Sequence, residues 1–323
     1  MRTRAPDFFL VGAPKCGTTA MHAYLRRHPQ VYLPAQKELH FYGSDLHGLP
    51  TTLRPEQHDA LFEGAGDADR VGETAIWALY SREAAREIKA AHPGASILIM
   101  LRDPVEMMYA QHGEYLYQAV EDIGDFRLAL EAEPGRRSGR FPPPAPYPAA
   151  IYFYRAIAKF SEQVERYLSA FGPGRVHILL QEDLRRDPAS VVRGLLTFLG
   201  VDPAFAPDLP VVNANKRVRS VALQHLLRNP TRPVRRLLRR VIPFPAMRRR
   251  LVDGAVEWNV VRTPRRPLSR DLRRRLQAEF APEVDRLGRL LGRDLASIWW
   301  SPPRSDDPGP RSECEPSAGS SKT

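Results

Sequence analysis

Compact apolar runs alternate with helical periodicity through the N-terminal two thirds of the chain. Residues 7–12 (DFFLVG) are an unbroken apolar stretch closed by glycine, the pattern of a strand buried on both faces. Residues 19–27 then place Met21, Tyr24 and Leu25 at helical spacing, and His28-Pro29 stops the helix. Ser96–Leu101 (SILIML) is a second buried run, closed by Arg102-Asp103-Pro104 and followed by a helix through about Gln118. Residues 70–77 read as a further strand, 82–91 as a helix and 175–180 (RVHILL) as a strand. Pro188–Leu199 has helical spacing at Val191, Val192, Leu195, Leu196 and Leu199. Strands alternating with helices predict an α/β fold with a mostly parallel central sheet and helices on both faces.

Two regions break this rhythm. Residues 134–148 (PGRRSGRFPPPAPYP) are rich in Pro, Gly and Arg, too irregular for core, and long loops of this kind often cover active sites. From about residue 205 no strand is convincing, and the chain reads as mainly helical. Residues 270–292 form an amphipathic helix expected to break near Pro282. The Ser/Pro/Gly-rich residues 302–323 are expected to be disordered, so the organisation expected is one domain over 1–301 plus a tail.

Composition narrows the class. With 43% hydrophobic and 26% charged residues in 323, a large core is available and global disorder is excluded. Two cysteines, Cys16 and Cys314, make neither a disulfide framework nor a zinc site, so no metal is expected. No apolar run reaches the ~18–20 residues that span a bilayer, and the N-terminus lacks a long apolar signal segment. A cytoplasmic protein, peripheral to a membrane at most, is therefore expected. The net charge of +11 is unevenly placed. Residues 1–150 carry 16 Lys+Arg against 19 Asp+Glu, and the remainder carries 32 against 18. Residues 232–250 (RPVRRLLRRVIPFPAMRRR) concentrate the excess, alternating Arg clusters with apolar pairs. Such a face attracts phosphates, sulfates, acidic glycans or an anionic membrane surface.

The sharpest chemical signal is the loop Gly12-Ala13-Pro14-Lys15-Cys16-Gly17-Thr18-Thr19, set between a strand and a helix. Backbone N–H groups in such a loop wrap an anion, and the helix N-terminus adds partial positive charge. It differs from the nucleotide-triphosphatase pattern G-x-x-x-x-G-K-[ST]: Thr18 stands where the lysine belongs, and the cation has moved inside the loop to Lys15. SILIML is followed directly by Arg102 rather than by the acid that ends a magnesium-binding strand. An ordinary strand-to-helix turn with a surface lysine is the structural alternative.

The Pro-Lys-x-Gly-Thr-Thr run resembles the 5′-phosphosulfate loop of sulfotransferases that use 3′-phosphoadenylyl sulfate (PAPS), nearest their bacterial and heparan-sulfate-type glycan branches. Further motifs agree in order. Lys37-Glu38-Leu39-His40-Phe41-Tyr42 is similar to that family's K/N-E-x-H-F-F segment. Leu101-Arg102-Asp103-Pro104-Val105-Glu106 is similar to its 3′-phosphate-binding junction. Gln181-Glu182-Asp183-Leu184, with Phe198-Leu199-Gly200, is similar to a recurrent later pattern. The resemblance spans about residues 7–299 and implies a three-layer α/β/α fold of P-loop type. It implies in-line sulfuryl transfer from PAPS, leaving PAP (adenosine 3′,5′-bisphosphate), to a hydroxyl or amine of a carbohydrate, glycolipid or other small acceptor. Lys15 would stabilise the leaving phosphate, and the backbone of Cys16, Gly17, Thr18 and Thr19 would hold the 5′-phosphate. Glu38 would act as base. His40, two residues on and on the same face of an extended segment, would orient it or the acceptor. Arg102 would grip the 3′-phosphate, with Lys216 and Arg217 closing over it.

Departures from the family pattern are Ala110 in place of a second 3′-phosphate contact, Thr74 in place of a lysine, and Ala20 in place of an adenine-stacking tryptophan. Trp77, Phe141 and Tyr147 are candidate acceptor-site walls, and equally core or loop anchors. Two other classes stay open on the residues alone. One is a basic membrane-surface or nucleic-acid binder on a degenerate P-loop scaffold, although no specific nucleic acid is expected. The other is a small-molecule kinase.

Overall fold

The structure, a computed structural model, describes residues 4–46, 48–49, 53–142, 145, 147–205, 216–242, 244–263 and 265–301. Five parallel strands form the central sheet: β1 (Phe8–Gly12), β2 (Val31–Tyr32), β3 (Arg70–Thr74), β4 (Ser96–Leu101) and β5 (Val176–Leu180). Their order is β2-β3-β1-β4-β5. Every residue of β1 and β4 is buried, as unbroken apolar runs require when helices cover both faces. Gly72 on β3 lies opposite Phe8, and a Cβ there would fall 2.1 Å from the Phe8 ring, so only glycine lets β1 and β3 pair. One buried cluster runs from Phe8 through the strands and helices to Trp299.

The strand order places the site. From β1 the sheet grows through β3 on one side and β4 on the other, so the crossovers leave β1 and β4 in opposite directions. A crevice opens at the carboxyl ends of strands flanking such a reversal. The loops after β1 and β4 meet there, and the β1–β4 register shifts between Leu10 and Gly12 where the first loop begins.

Three expectations need correction. A short antiparallel ribbon exists beyond residue 205, with β6 (Lys216–Val218) paired to β7 (Val260–Arg262). Three-residue strands so far apart in sequence carry no periodicity to read. The C-terminal helix Arg270–Leu291 passes through Pro282 without a break. Leu276, Phe280, Val284 and Leu287 bury one continuous stripe, and Glu283 accepts hydrogen bonds from the Ser161 backbone N–H (2.6 Å) and hydroxyl (2.9 Å). That packing outweighs the roughly 3 kcal/mol an interior proline costs. The Pro/Gly/Arg-rich excursion also reaches the core. Within the short helix Glu133–Arg137, Arg136 is 4% exposed and forks onto Glu121 at 2.7 and 2.6 Å, while the Tyr154 hydroxyl donates to the same carboxylate. Of the three aromatics left open as acceptor walls or core or loop anchors, Trp77 is a buried core residue, Tyr147 packs partly buried against the core and Phe141 is exposed. The tail expected to be disordered, 302–323, and the polar residues 213–215 lie outside the described residues.

Candidate functional site

The loop after β1 has the backbone an anion cradle needs. Ala13 N–H donates to the Met100 carbonyl at 2.7 Å, fixing the loop to the end of β4. Lys15 and Gly17 then take positive φ, 59° and 95°, and Gly17 caps the helix Thr18–Leu25 without a side-chain partner. Successive N–H groups therefore turn inward ahead of a helix start. No side chain fills the helix cap at Gly17, which suits an external anion.

Each sequence-predicted residue has a definite place. Lys15 reaches from the loop to Glu114 on the helix Pro104–Gln118, Nζ to Oε2 at 2.7 Å. The Lys15 carbonyl accepts from Arg102 Nη1 at 3.2 Å, so the two cations expected at opposite ends of a donor nucleotide share one backbone contact. Cys16 is fully buried, donates to the Pro14 carbonyl at 3.3 Å, and its thiol is pushed up to about 12 by burial. It is a small packing residue, with no thiolate available at neutral pH. Thr18 is buried, and the Thr19 hydroxyl accepts from Lys37 Nζ at 2.9 Å.

Lys37 links the cradle to the proposed base. Its ammonium also contacts Glu38 Oε1 at 3.1 Å, while Glu38 Oε2 accepts the Ile76 N–H at 3.0 Å. Burial raises the Glu38 pKa, against the Lys37 charge and the Ile76 hydrogen bond, which lower it. Burial and the Lys37 charge press His40 down to about 4, so its ring is neutral near pH 7. Glu38 and His40 both have positive φ, 61° and 47°. The segment is therefore kinked, and the extended-segment argument for a shared face does not hold. Lys37 contacts Glu38 directly, and its charge also acts on His40. Thr74, the departure on β3, pairs its hydroxyl with His22 Nδ1 at 2.9 Å, and its carbonyl accepts the Glu38 N–H at 2.8 Å. It holds the Glu38 segment against the sheet.

Arg102 follows the last residue of β4 and opens a cleft of about 490 Å³. Arg185, Arg265, Arg266 and Arg273 line the same space, with Glu106, Tyr109, Glu182 and Trp299. Arg102 Nε is buried without a hydrogen-bond partner, and its nearest carboxylate, Glu106 Oε2, is 3.7 Å away. Glu106 is shared with Arg273. Burial first, and the Arg102 charge second, lower the pKa values of Arg185 and Arg265. Guanidiniums crowded in this way have the chemistry to receive a multiply charged anion. Ala110 is buried two turns into the helix Pro104–Gln118 and offers no polar contact. Arg265, stacked 5.2 Å over the Tyr109 ring, brings positive charge to that part of the helix instead.

Arg217 stands apart from Arg102. It lines a neighbouring cleft of about 790 Å³ that shares Tyr109, Arg265 and Leu268 with the first. For Lys216 only the backbone, in β6, is described. Sequence reading missed Glu114, Arg185, Arg265, Arg266 and Arg273. Arg185 had a usable signal, since it lies just past the carboxyl end of β5, where ligands of open sheets bind. The others join only through tertiary packing. Among the described residues, no group of three or more His, Cys, Asp or Glu side chains is arranged to hold a metal ion.

Comparison with known proteins agrees with this arrangement. The Sulfotransferase domain family model matches residues 5–231. Human "Carbohydrate sulfotransferase 15" is 28% identical over 156 residues, covering 35% of this chain and 27% of that protein. Mouse "Bifunctional heparan sulfate N-deacetylase/N-sulfotransferase 4" is 26% identical over 216 residues, covering 62% of this chain and 23% of its own length. The chain thus spans about a quarter of the length of these curated relatives. A solved sulfotransferase from Alicyclobacillus acidocaldarius superposes with a TM-score of 0.68 at 29% identity, covering 91% of this chain and 99% of that one. Five parallel strands, the Lys15 loop, the Arg102 junction and a family match over most of the chain lead to one conclusion: the chain belongs to the sulfotransferase family.

Proposed function

We propose that the protein transfers a sulfuryl group from PAPS to a hydroxyl or amine of a carbohydrate-type acceptor. The observation that carries this reading is the meeting of two anion receptors at the carboxyl ends of β1 and β4. One is the loop 13–19 with Lys15, and the other is the arginine cleft with Arg102, joined through the Lys15 carbonyl. A nucleotide with phosphate on both its 5′ and 3′ sides matches this pair, and the arginines around Arg102 support seating the 3′ group in the cleft. Carbohydrate and heparan sulfate sulfotransferases among the relatives support a glycan acceptor.

The donor supplies an activated sulfuryl group, and the chain's own residues position and neutralise it. Loop N–H groups and the Thr18–Leu25 helix start hold the 5′ side. Lys15, on leaving Glu114, provides an ammonium for the negative charge that grows on the leaving phosphate. Glu38 takes the acceptor proton, and its burial-raised pKa makes it a stronger base than an exposed carboxylate. Lys37 keeps Glu38 tethered to Thr19, and so to the donor loop.

A thermal-shift titration with PAP and with ATP–Mg²⁺, followed by transfer from labelled PAPS to de-sulfated glycans, tests the reading. Stabilisation by PAP together with label on the glycan is expected. Stabilisation by ATP–Mg²⁺ alone would refute it.

A further inference from the structure

The Arg-rich segment between residues 228 and 258 lies outside the donor site and folds as two helices. Its helices are Arg232–Val241 and Pro245–Asn259. The second packs on Val221–Arg228 around a groove that includes Leu227, Val234, Ala246 and Val252. That leaves a second apolar set exposed, with Arg219 stacked 5.4 Å over the Trp258 ring. Phe244, Met247, Leu251 and Trp258 recur at intervals of three, four and seven residues, one stripe of a helix. They are 67%, 47%, 55% and 64% exposed, and Val241 at the end of the first helix is 67% exposed. Around them stand Arg235, Arg236, Arg239 and Arg240 on the first helix, and Arg248, Arg249 and Arg250 on the second. Only Asp253 and Glu257 oppose nine arginines between residues 228 and 258.

We propose that this helical segment is a docking surface for an anionic lipid bilayer, with the Phe244–Trp258 stripe entering the headgroup region and the arginines pairing with lipid phosphates. The combination decides the occupant. Arginine alone would suit any polyanion, but a polyanion offers nothing to bury large apolar side chains. A second copy of the chain would bury them, yet a twofold contact would set the same arginines against each other. An interfacial helix needs both an apolar stripe and flanking cations, and both are present here. Among the described residues no helix is long and apolar enough to cross a membrane, so the contact would be peripheral.

Vesicle co-sedimentation of the full chain tests this, with phosphatidylcholine alone against phosphatidylcholine containing 30% phosphatidylglycerol (about a third anionic lipid, enough for a strong surface potential). Binding only to the anionic vesicles is expected, falling with salt, with a blue shift in tryptophan emission absent from Trp258→Phe. Arg239→Gln with Arg240→Gln should lower partitioning by about fivefold per arginine. Phe244→Ser with Leu251→Ser should weaken it at low salt as well, leaving transfer to a soluble acceptor unchanged. These side chains are exposed, so both double variants should keep the wild-type melting temperature. Three outcomes overturn the proposal. They are no preference for anionic vesicles, binding to heparin or vesicles that ignores the apolar double variant, and a concentration-dependent dimer abolished by that variant.

Discussion

Arg102→Ala removes a guanidinium whose side chain is 11% exposed, at the mouth of the arginine cleft. At an effective dielectric near 20, a unit charge 4 Å from an anion contributes about 4 kcal/mol. Arg185 and Arg265 remain to carry part of that charge, and Glu106 keeps Arg273. The net loss for a 3′-phosphate should therefore be about 2–3 kcal/mol, or roughly 30–150-fold in Kd. AMP, which lacks the 3′-phosphate, should lose less than about threefold, through the broken contact between Arg102 and the Lys15 carbonyl (a single hydrogen bond of modest net worth). Calorimetric titration of wild type and variant with PAP and AMP measures the ratio directly. Arg102→Lys should fall between them, since a lysine restores the charge without the fork. Equal losses for PAP and AMP, or none for PAP, would show that Arg102 does not read the 3′-phosphate.

Glu38→Gln should lower kcat by about 10²–10⁴-fold while PAP affinity stays within about threefold, as loss of a general base predicts. The active form is the carboxylate, so kcat/KM should fall on the acid side through a pKa above the usual carboxylate range. Lys37→Ala removes the charge that holds this pKa down and should shift that limb further upward; an unmoved limb would detach Glu38 from the profile. Arg136→Met leaves the Glu121 carboxylate, 0% exposed, without its fork, and should cost about 3–5 kcal/mol in denaturant unfolding. Burial works to raise the Glu121 pKa, but the Arg136 hydrogen bonds and charge outweigh it, and the folded value is lowered. A lowered folded pKa stabilises above the unfolded value of about 4.3 and is lost as pH falls through the folded one, so the wild-type advantage should narrow in acid.

The local arrangement was written in the chain. Consecutive apolar residues in SILIML and FFLVG leave no polar face, which only a doubly covered strand tolerates, and β1, β4 and β5 stand within a residue of their expected bounds. Pro14-Lys15-x-Gly17-Thr18-Thr19 likewise carries its own geometry, because glycine and the turn set the backbone before any distant contact forms. Tertiary structure decided what depends on distant partners. Burial made Cys16 a packing residue, and Glu114 took up Lys15 from 99 residues away. Lys37 became the tie between Thr19 and Glu38 because the start of the helix Thr18–Leu25 lies beside the Glu38 segment that Thr74 holds to β3. The arginine cleft draws on residues 102, 185, 265, 266 and 273, which no spacing connects. Hydrophobic periodicity encodes which face of an element is buried, and an anion receptor depends on which elements then become neighbours.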